Sequence, residues 1–164
     1  MDNYKSCCFT GHRQICAEHF MRLPELLSGL LDSLVADGYR NFKAGGAIGF
    51  DTLAALKCLE LKNKYPDLSI TLELCLPCRD QTLGWSEQEK SAYRFVLERA
   101  DKVYYESESY TSGCMFARNR RLVDGSDTCI AYLSTNKGGT AYTCSYAKDK
   151  GVRVINLYDR LKNG

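Results

Sequence analysis

The sequence predicts a single α/β domain with one Rossmann-like, mostly parallel sheet of about six strands and helices on both faces. Short apolar runs alternate with longer runs whose apolar residues recur at helical spacing. Glycine-rich or polar turns follow most of the short runs, and 164 residues suffice for one buried core. Because strands joined through helices pair in parallel with right-handed crossovers, we expect residues 1–164 to form one domain of this class.

The apolar pattern predicts six strands and five helices. The strands are expected at residues 6–10, 41–44, 69–76, 102–105, 128–133 and 152–157. The helices are expected at residues 23–36, 51–65, 86–100, 114–124 and 141–150. Pro24 falls in the tolerated first turn of the first helix, and Gly38 is expected to stop that helix. Pro77 is expected to end the third strand, because proline has no N–H to donate to a neighbouring strand.

Composition excludes several classes of protein. The formal net charge is only +2, from 22 basic and 20 acidic residues, so no global field attracts a nucleic acid or a membrane. We expect neither as a partner. The first residues lack the pattern of an export signal and no apolar stretch has membrane length, which predicts a cytoplasmic protein. Composition leaves open whether the chain forms a homo-oligomer.

The nine cysteines predict reduced thiols rather than a disulfide framework. Their number is odd, and no export signal accompanies them. Cys75 and Cys78 have the spacing of a metal-binding or redox pair, but the sequence has no second pair of this kind. We therefore expect the cysteines to have packing roles and expect no metal site.

Two glycine-rich turns each lead into a predicted helix. Gly45, Gly46 and Gly49 precede the second helix, and Gly138 and Gly139 precede the fifth. Glycine lets the backbone approach a ligand closely, and the free N–H groups of a helix N-terminus favour an anion. Two such turns in one small domain predict a single phosphate-bearing, nucleotide-like ligand, with no further cofactor required.

Further candidate ligand-binding residues follow the predicted strands or open a helix. They are Thr10, Gly11 and Arg13 at the end of the first strand and after it, Arg79 after the third strand, and Thr140 directly before the fifth helix. The carboxyl ends of parallel strands share one edge of a sheet, and ligands bind there near the point where the strand order reverses. These residues are therefore expected to line one site.

Arg118 and Asn119 lie on the fourth predicted helix, with Arg118 on its apolar face. A cation on that face needs a partner. The partner is either a phosphate or carboxylate of the ligand, or a buried ion pair with Asp101, Glu106 or Asp127.

Asp51 opens the second predicted helix, where two interpretations apply. It is a first-turn carboxylate stabilised by the helix dipole, or it accepts hydrogen bonds from ribose hydroxyls of the ligand. Direct contact with a phosphate is not expected, because the two negative charges repel each other.

Several well-known motifs are missing from the sequence. No Gly-Lys-Ser/Thr ends a P-loop, and the dinucleotide fingerprint does not follow the first predicted strand. No serine sits in a nucleophile elbow. ATP hydrolysis of the P-loop kind, NAD-dependent redox chemistry and serine hydrolysis are therefore not expected.

Five segments, taken in order, resemble the motifs of the SLOG superfamily and most closely its YpsA-like branch. They are residues 9–13, 45–51, 118–120, 126–127 and 138–140, which span nearly the whole chain. The resemblance implies a Rossmann-like sheet that binds a nucleotide or a nucleotide-derived ligand. The chain is also similar to the DNA-processing protein DprA, which has a glycine loop ending in Gly-x-Asp and an Arg-Asn-Arg segment.

The same superfamily contains LOG-type phosphoribohydrolases, which use an arginine and a glutamate to cleave the base from a nucleoside monophosphate. In this sequence the corresponding loop is shorter, and Thr143 stands where the catalytic glutamate would be. We therefore expect a nucleotide-binding protein with a sensing or regulatory function. Two alternatives stay open: a LOG-like hydrolase in which Asp51 or Glu106 replaces that glutamate, and a DprA-like binder of single-stranded DNA.

Overall fold

Six parallel strands form the centre of the fold, as the sequence predicts. The computed structural model describes residues 4–162. Its strands are β1 (Lys5–Gly11), β2 (Tyr39–Ala44), β3 (Thr71–Cys78), β4 (Lys102–Ser107), β5 (Thr128–Tyr132) and β6 (Arg153–Asn156). Its helices are α1 (Ala17–Ala36), α2 (Phe50–Lys64), α3 (Glu87–Arg99), α4 (Cys114–Val123), α5 (Gly139–Asp149) and α6 (Leu157–Leu161).

The strand order is β4-β3-β2-β1-β5-β6, and every neighbouring pair is parallel. The first four strands are added in one direction, and β5 then pairs with β1 on its other side. The strand order therefore reverses between β1 and β5. In open parallel sheets this is where a ligand crevice forms, at the carboxyl edge.

Alternating side chains along the strands fill two cores, one on each face of the sheet. Cys7, Phe9 and Phe42 belong to the larger core, which contains apolar side chains of α1, α2, α3 and α6. Cys8 and Cys129 belong to the smaller core, which lies against α4 and α5. This alternation is what a sheet buried on both faces requires, and it explains why the strands read as continuous apolar runs.

The first helix begins earlier than the sequence predicts. It starts at Ala17 rather than at residue 23, so Pro24 lies inside the helix and not in its first turn. His19, Leu23, Leu27 and Leu31 are all buried at a spacing of four residues. Packing of this stripe on the sheet outweighs the backbone hydrogen bond that proline removes. The predicted stop is confirmed, since Gly38 follows the helix with φ of 94°.

Pro77 does not end the third strand, which is a second correction. The pairing of β3 with β2 ends at Leu74, whereas its pairing with β4 continues to Cys78. Beyond Leu74 this strand therefore has one paired neighbour, and proline is tolerated in such an edge position. The sequence pattern also missed α6, whose first turn is capped by the Asn156 side chain accepting from the Tyr158 N–H at 3.2 Å.

Across residues 4–162, none of the helices combines the length and the apolar character that crossing a membrane requires.

Candidate functional site

A cavity of about 410 Å³ opens at the carboxyl edge of the sheet, where the strand order reverses. The loops after β1, β2 and β4 contribute to its walls, together with α2, α4 and the N-terminus of α5. The lining residues are Thr10, Gly11, His12, Arg13, Ala47, Asp51, Tyr110, Met115, Phe116, Arg118, Asn119, Leu122, Gly139 and Thr140. Its volume is within the range of small-molecule sites.

Hydrogen bonds between the loops hold the mouth of the cavity in place. The Phe50 N–H at the start of α2 donates to the His12 carbonyl at 3.2 Å, and the Ser134 N–H donates to His12 Nε2 at 2.9 Å. Nε2 therefore acts as an acceptor, which the neutral ring provides, and burial lowers the pKa of His12 from its ordinary value. The Asn156 side chain accepts from the Leu133 N–H and donates to its carbonyl, at 3.0 and 2.9 Å. The loops after β1 and β5 are thus fixed relative to each other and to α2.

Arg118 supplies a positive charge from the inner wall of the cavity. Its side chain is 4% exposed, and burial lowers the pKa of its guanidinium while the nearby Asp51 carboxylate opposes that shift. Nε donates to Asn119 Oδ1 at 2.9 Å and Nη1 donates to the Gly45 carbonyl. Among residues 4–162, these two bonds use two of the five N–H groups of the guanidinium, and neither bond is to a carboxylate. The N–H groups of Nη2 and the second N–H of Nη1 are therefore available to a ligand.

The three carboxylates considered as structural partners of Arg118 bind other groups. Asp101 pairs with Lys62 at 2.6 Å, and Asp127 accepts from the Ser6 N–H at 2.9 Å. Glu106 pairs with Arg121 at 2.5 Å in a separate, open groove of about 490 Å³ beside α4 and β4. The predicted orientation of Arg118 toward the apolar side of its helix is confirmed, whereas none of the three candidate ion pairs forms.

Asp51 is the negative charge of the cavity. It lies in the first turn of α2, is 5% exposed, and accepts from the Ala47 N–H through Oδ2 at 3.3 Å. Burial raises the pKa of Asp51 to about 6, although the charges of Arg118 and Arg13 and the Ala47 hydrogen bond lower it. The carboxyl group is therefore ionised at neutral pH but protonated in mildly acidic solution.

Gly45 brings the two buried charges together. A Cβ atom at this position would lie 2.7 Å from Arg118 Nη1 and 2.8 Å from Asp51 Oδ2. Any side chain at position 45 would therefore displace one of the two groups. The requirement for glycine at this position comes from the close packing of a guanidinium and a carboxylate on the backbone of the loop.

Gly46 and Gly49 have packing roles that the sequence does not reveal. Gly46 has φ of 74°, and a Cβ there would lie 2.3 Å from Leu76 Cδ2. Gly49 has φ of 85°, and a Cβ there would lie 2.2 Å from the Arg13 carbonyl oxygen. Gly45, Gly46 and Gly49 do not line the cavity, to which the loop contributes Ala47 instead. Contact of these glycines with a ligand stays a prediction.

The second glycine turn lies closer to the cavity. Gly139 and Thr140 line it at the first turn of α5, where backbone N–H groups have no acceptor within the helix. Gly138, with φ of 93°, precedes the helix and lies outside the lining. Thr143, at the place of the LOG glutamate, is fully buried and donates its hydroxyl to the Gly139 carbonyl at 2.8 Å.

Of the remaining predicted site residues, four line the cavity and one lies elsewhere. Thr10, Gly11, Arg13 and Asn119 line it. Arg79 does not, because its guanidinium pairs with Glu108 at 3.0 Å and lies 4.1 Å from the centre of the Tyr105 ring.

Sequence reasoning missed part of the lining. Met115 and Phe116 line the cavity from the first turn of α4. Ala47 lines it from the loop between β2 and α2. Tyr110, for which the sequence allows either stacking on a base or packing at the edge of the core, also lines the cavity and is 68% exposed. The signal available in the sequence is that residues 115 and 116 directly precede Arg118 and Asn119 on one helix.

All nine cysteines are free, as predicted. Burial raises the pKa of Cys75 to about 12, and burial together with a hydrogen bond to Asp80 raises that of Cys78 to about 11. Both are thiols at neutral pH, and a thiol is neither a good nucleophile nor a good metal ligand. Within residues 4–162 there is no group of three or more His, Cys, Asp and Glu side chains arranged to hold a metal ion.

Comparison with known proteins identifies the family. The model of the YspA SLOG family matches residues 8–158. The chain belongs to this family. The resemblance to the YpsA-like branch of the SLOG superfamily is thereby confirmed.

Relatives of this family member include a UPF0398 protein from Bacillus thuringiensis (strain Al Hakam) and one from Bacillus cereus (strain AH187). Each is 32% identical over 124 residues, which are 74% of this chain and 66% of the relative. The matched region therefore spans just under two thirds of the length of these relatives.

Solved structures share the fold. DNA processing protein A (DprA) from Streptococcus pneumoniae has a TM-score of 0.67 at 17% identity, over 92% of this chain and 49% of that chain. DprA from Helicobacter pylori, whose structure is described for its single-stranded DNA binding mode, has a TM-score of 0.61 at 18% identity, over 92% of this chain and 63% of that chain. A protein called TM1055 has a TM-score of 0.59 at 16% identity, over 98% of this chain and 81% of that chain. The predicted Rossmann-like fold class is confirmed.

Proposed function

We propose that this SLOG-family protein binds a nucleotide or nucleotide derivative in the cavity between β1 and β5, with its phosphate on Arg118. The observation that carries the proposal is a guanidinium that is 4% exposed, lines a cavity of about 410 Å³ and has no ion pair within 4 Å among residues 4–162. Burying a cation costs several kcal/mol, and the nearby Asp51 carboxylate offsets this cost only in part, without forming an ion pair within 4 Å. The site therefore favours a further anion on Arg118.

The surroundings of Arg118 support a phosphate in particular. Gly139 and Thr140 place the N-terminus of α5 at the cavity, where its N–H groups and helix dipole favour an anion. Arg13 adds a second guanidinium from the loop after β1. A phosphate has several acceptor oxygens and satisfies donors from these three directions at once.

Aromatic side chains at the cavity support a nucleotide over free phosphate. Tyr110 and Phe116 line the cavity and are 68% and 45% exposed. The ring of Phe116 is 4.6 Å from the ring of Tyr142, centre to centre, so it already packs edge-on with a neighbour. Exposed rings beside an anion site provide a surface on which a base stacks.

The proposed role is sensing or regulation in the cytoplasm rather than LOG-like hydrolysis. General acid–base catalysis needs a group that exchanges protons near neutral pH. Thr143 is fully buried and its hydroxyl is bound to Gly139, while Glu106 lies outside the cavity in the open groove. Within residues 4–162, Asp51 is the one carboxyl group that lines the cavity, and its pKa of about 6 meets this requirement. The LOG-like alternative therefore depends on Asp51 alone.

Calorimetric titration with AMP, GMP, CMP and UMP tests the proposal. We expect at least one to bind the wild-type protein and expect Arg118→Lys to weaken that binding by about 1–3 kcal/mol, since an ammonium cannot replace the planar fork of a guanidinium. Arg120→Lys is the matched control. Arg120 lies on the same helix, is exposed and donates to the Tyr142 hydroxyl at 3.1 Å, outside the cavity lining.

Two results would contradict the proposal. One is the absence of binding by all four nucleotides in the wild-type protein at millimolar concentration. The other is an equal effect of the two arginine substitutions on affinity. A melting temperature measured for each variant separates loss of binding from loss of fold. A titration with single-stranded DNA under the same conditions tests the DprA-like alternative, which the near-neutral charge does not favour.

A further inference from the structure

Asp51 lines the cavity and has one carboxylate oxygen that the described residues leave without a hydrogen bond. Oδ2 accepts from the Ala47 N–H, whereas Oδ1 is buried and has no partner within residues 4–162. A buried acceptor without a donor costs about 1–3 kcal/mol, and more when it is charged. Such groups are rare in native proteins and need a physical explanation.

The position of Asp51 restricts what can donate to it. Asp51 Oδ2 and Arg118 Nη1 both lie next to Gly45, within 2.8 and 2.7 Å of where its Cβ atom would be. Asp51 and Arg118 also line the same cavity. A ligand whose anionic group binds Arg118 therefore carries the donor for Asp51 only a few bonds away.

The chemistry of an ionised carboxylate further restricts which group of the ligand donates to Asp51. It accepts hydrogen bonds but donates none, so it repels a phosphate and leaves an unprotonated ring nitrogen of a base unpaired. The donors of a nucleotide are its ribose hydroxyls and, on the base, the exocyclic amines of adenine, guanine and cytosine and the ring N–H groups of guanine and uracil. The hydroxyls are separated from the phosphate by the sugar alone, whereas the donors of the base are separated from it by the sugar and the base. The hydroxyls fit the short distance between the two side chains.

We propose that Asp51 makes the cavity selective for ribonucleotides by accepting a hydrogen bond from a ribose hydroxyl next to the phosphate held by Arg118. This inference rests on the proposed nucleotide-binding function and adds the class of sugar. A site built to bind a hydroxyl rejects an analogue that lacks it, because the buried acceptor is then left unpaired.

The test compares AMP with 2′-deoxy-AMP, 3′-deoxy-AMP and 2′,3′-dideoxy-AMP by calorimetry at neutral pH, and does the same for GMP, CMP or UMP if one of these binds more tightly. We expect the dideoxy form to bind the wild-type protein roughly tenfold more weakly or worse. The two single-deoxy forms identify which hydroxyl is bound. In Asp51→Asn the preference should shrink, because an amide oxygen accepts more weakly than a carboxylate.

Glu106→Gln is the matched control for removal of a carboxylate. Glu106 is paired with Arg121 in the open groove, so its substitution should leave the preference for ribose unchanged. Tyr93→Phe is a second control. Asp51 and Tyr93 both line a separate cavity of about 10 Å³, the lower limit for one water molecule, and such a water is the competing partner for Oδ1.

The outcomes separate this inference from the proposed function. Equal affinity of the wild-type protein for AMP and its dideoxy form overturns the role of Asp51 and leaves nucleotide binding intact. A preference for ribose that persists in Asp51→Asn, or that Tyr93→Phe reduces as strongly as Asp51→Asn does, also overturns that role. Absence of binding by every nucleotide contradicts the proposed function and this inference together.

Discussion

The strongest quantitative prediction concerns the effect of pH on the stability of an Asp51→Asn variant. Asp51 is 5% exposed, and burial raises its pKa from 3.8 to about 6. A carboxyl with a raised pKa contributes its full share to stability only below its unfolded pKa, and that share is lost as the pH rises through the folded pKa. The wild-type fold therefore loses stability from Asp51 between about pH 4 and pH 6.

The magnitude follows from the two pKa values. At about 1.4 kcal/mol per pKa unit, ionisation of Asp51 in the fold costs about 3 kcal/mol relative to its ionisation in the unfolded chain. About 2 kcal/mol of that loss falls between pH 4.5 and pH 7.5. Asparagine has no proton to lose. The free energy of unfolding of Asp51→Asn minus that of the wild type should therefore increase by about 2 kcal/mol over this interval.

Urea unfolding of both proteins at pH 4.5 and at pH 7.5 measures this difference. Contributions that do not depend on pH, such as hydrogen bonds of the new amide, cancel when the two pH values are compared. Asp32→Asn is the control, because a hydrogen bond from Lys64 lowers the pKa of Asp32 below its ordinary value of 3.8. Asp32 is then largely ionised in the folded and the unfolded chain at both pH values, so the stability difference between Asp32→Asn and the wild type should be nearly the same at pH 4.5 and at pH 7.5. The reasoning about Asp51 is refuted if the stability difference between its variant and the wild type is the same at both pH values.

Two further predictions follow from backbone packing and from Thr143. Gly49→Ala should destabilise the fold by at least about 3 kcal/mol, because its Cβ would lie 2.2 Å from the Arg13 carbonyl oxygen. Gly113→Ala should cost only about 1–2 kcal/mol, since φ is also positive there, at 89°, but the Cβ would meet no atom within 4 Å; equal losses in urea unfolding would contradict the close approach at Gly49. Chromatography of wild-type protein incubated with AMP, GMP, CMP or UMP should detect no release of free base, because Thr143 is buried and its hydroxyl is bound to Gly139. Base release that Asp51→Asn abolishes would make the LOG-like alternative the leading hypothesis.

The features that the sequence predicted depend on neighbouring residues, whereas those it missed depend on residues that are distant in the chain. The sequence predicted the parallel sheet, the loops at its carboxyl edge and the inward orientation of Arg118. Each of these features follows from the spacing of apolar residues over a short stretch of chain. It did not predict that α1 extends before Pro24. The stripe from His19 to Leu31 gains stability only by packing on a sheet that forms from distant parts of the chain.

The assignment of individual residues to the cavity also depended on the tertiary structure. Gly45, Gly46 and Gly49 have the composition of a phosphate-binding loop, yet Arg118, Leu76 and Arg13 lie so close to them that no side chain fits at these three positions. Arg79 satisfies the same sequence criteria as Arg13, but an ion pair with Glu108 keeps it elsewhere. Composition shows what a side chain is able to bind, and only the fold determines what lies within reach.

By itself, then, the sequence determined the fold class, the family resemblance and the helix face from which Arg118 projects. Only the tertiary structure brought Arg118 next to Gly45 and Asp51, although 73 positions of chain separate Arg118 from Gly45. The physical reason is one of range. Hydrophobic periodicity and turn chemistry act between neighbours in sequence, whereas the electrostatics of a buried site depends on distances of a few ångströms between residues that are remote in the chain.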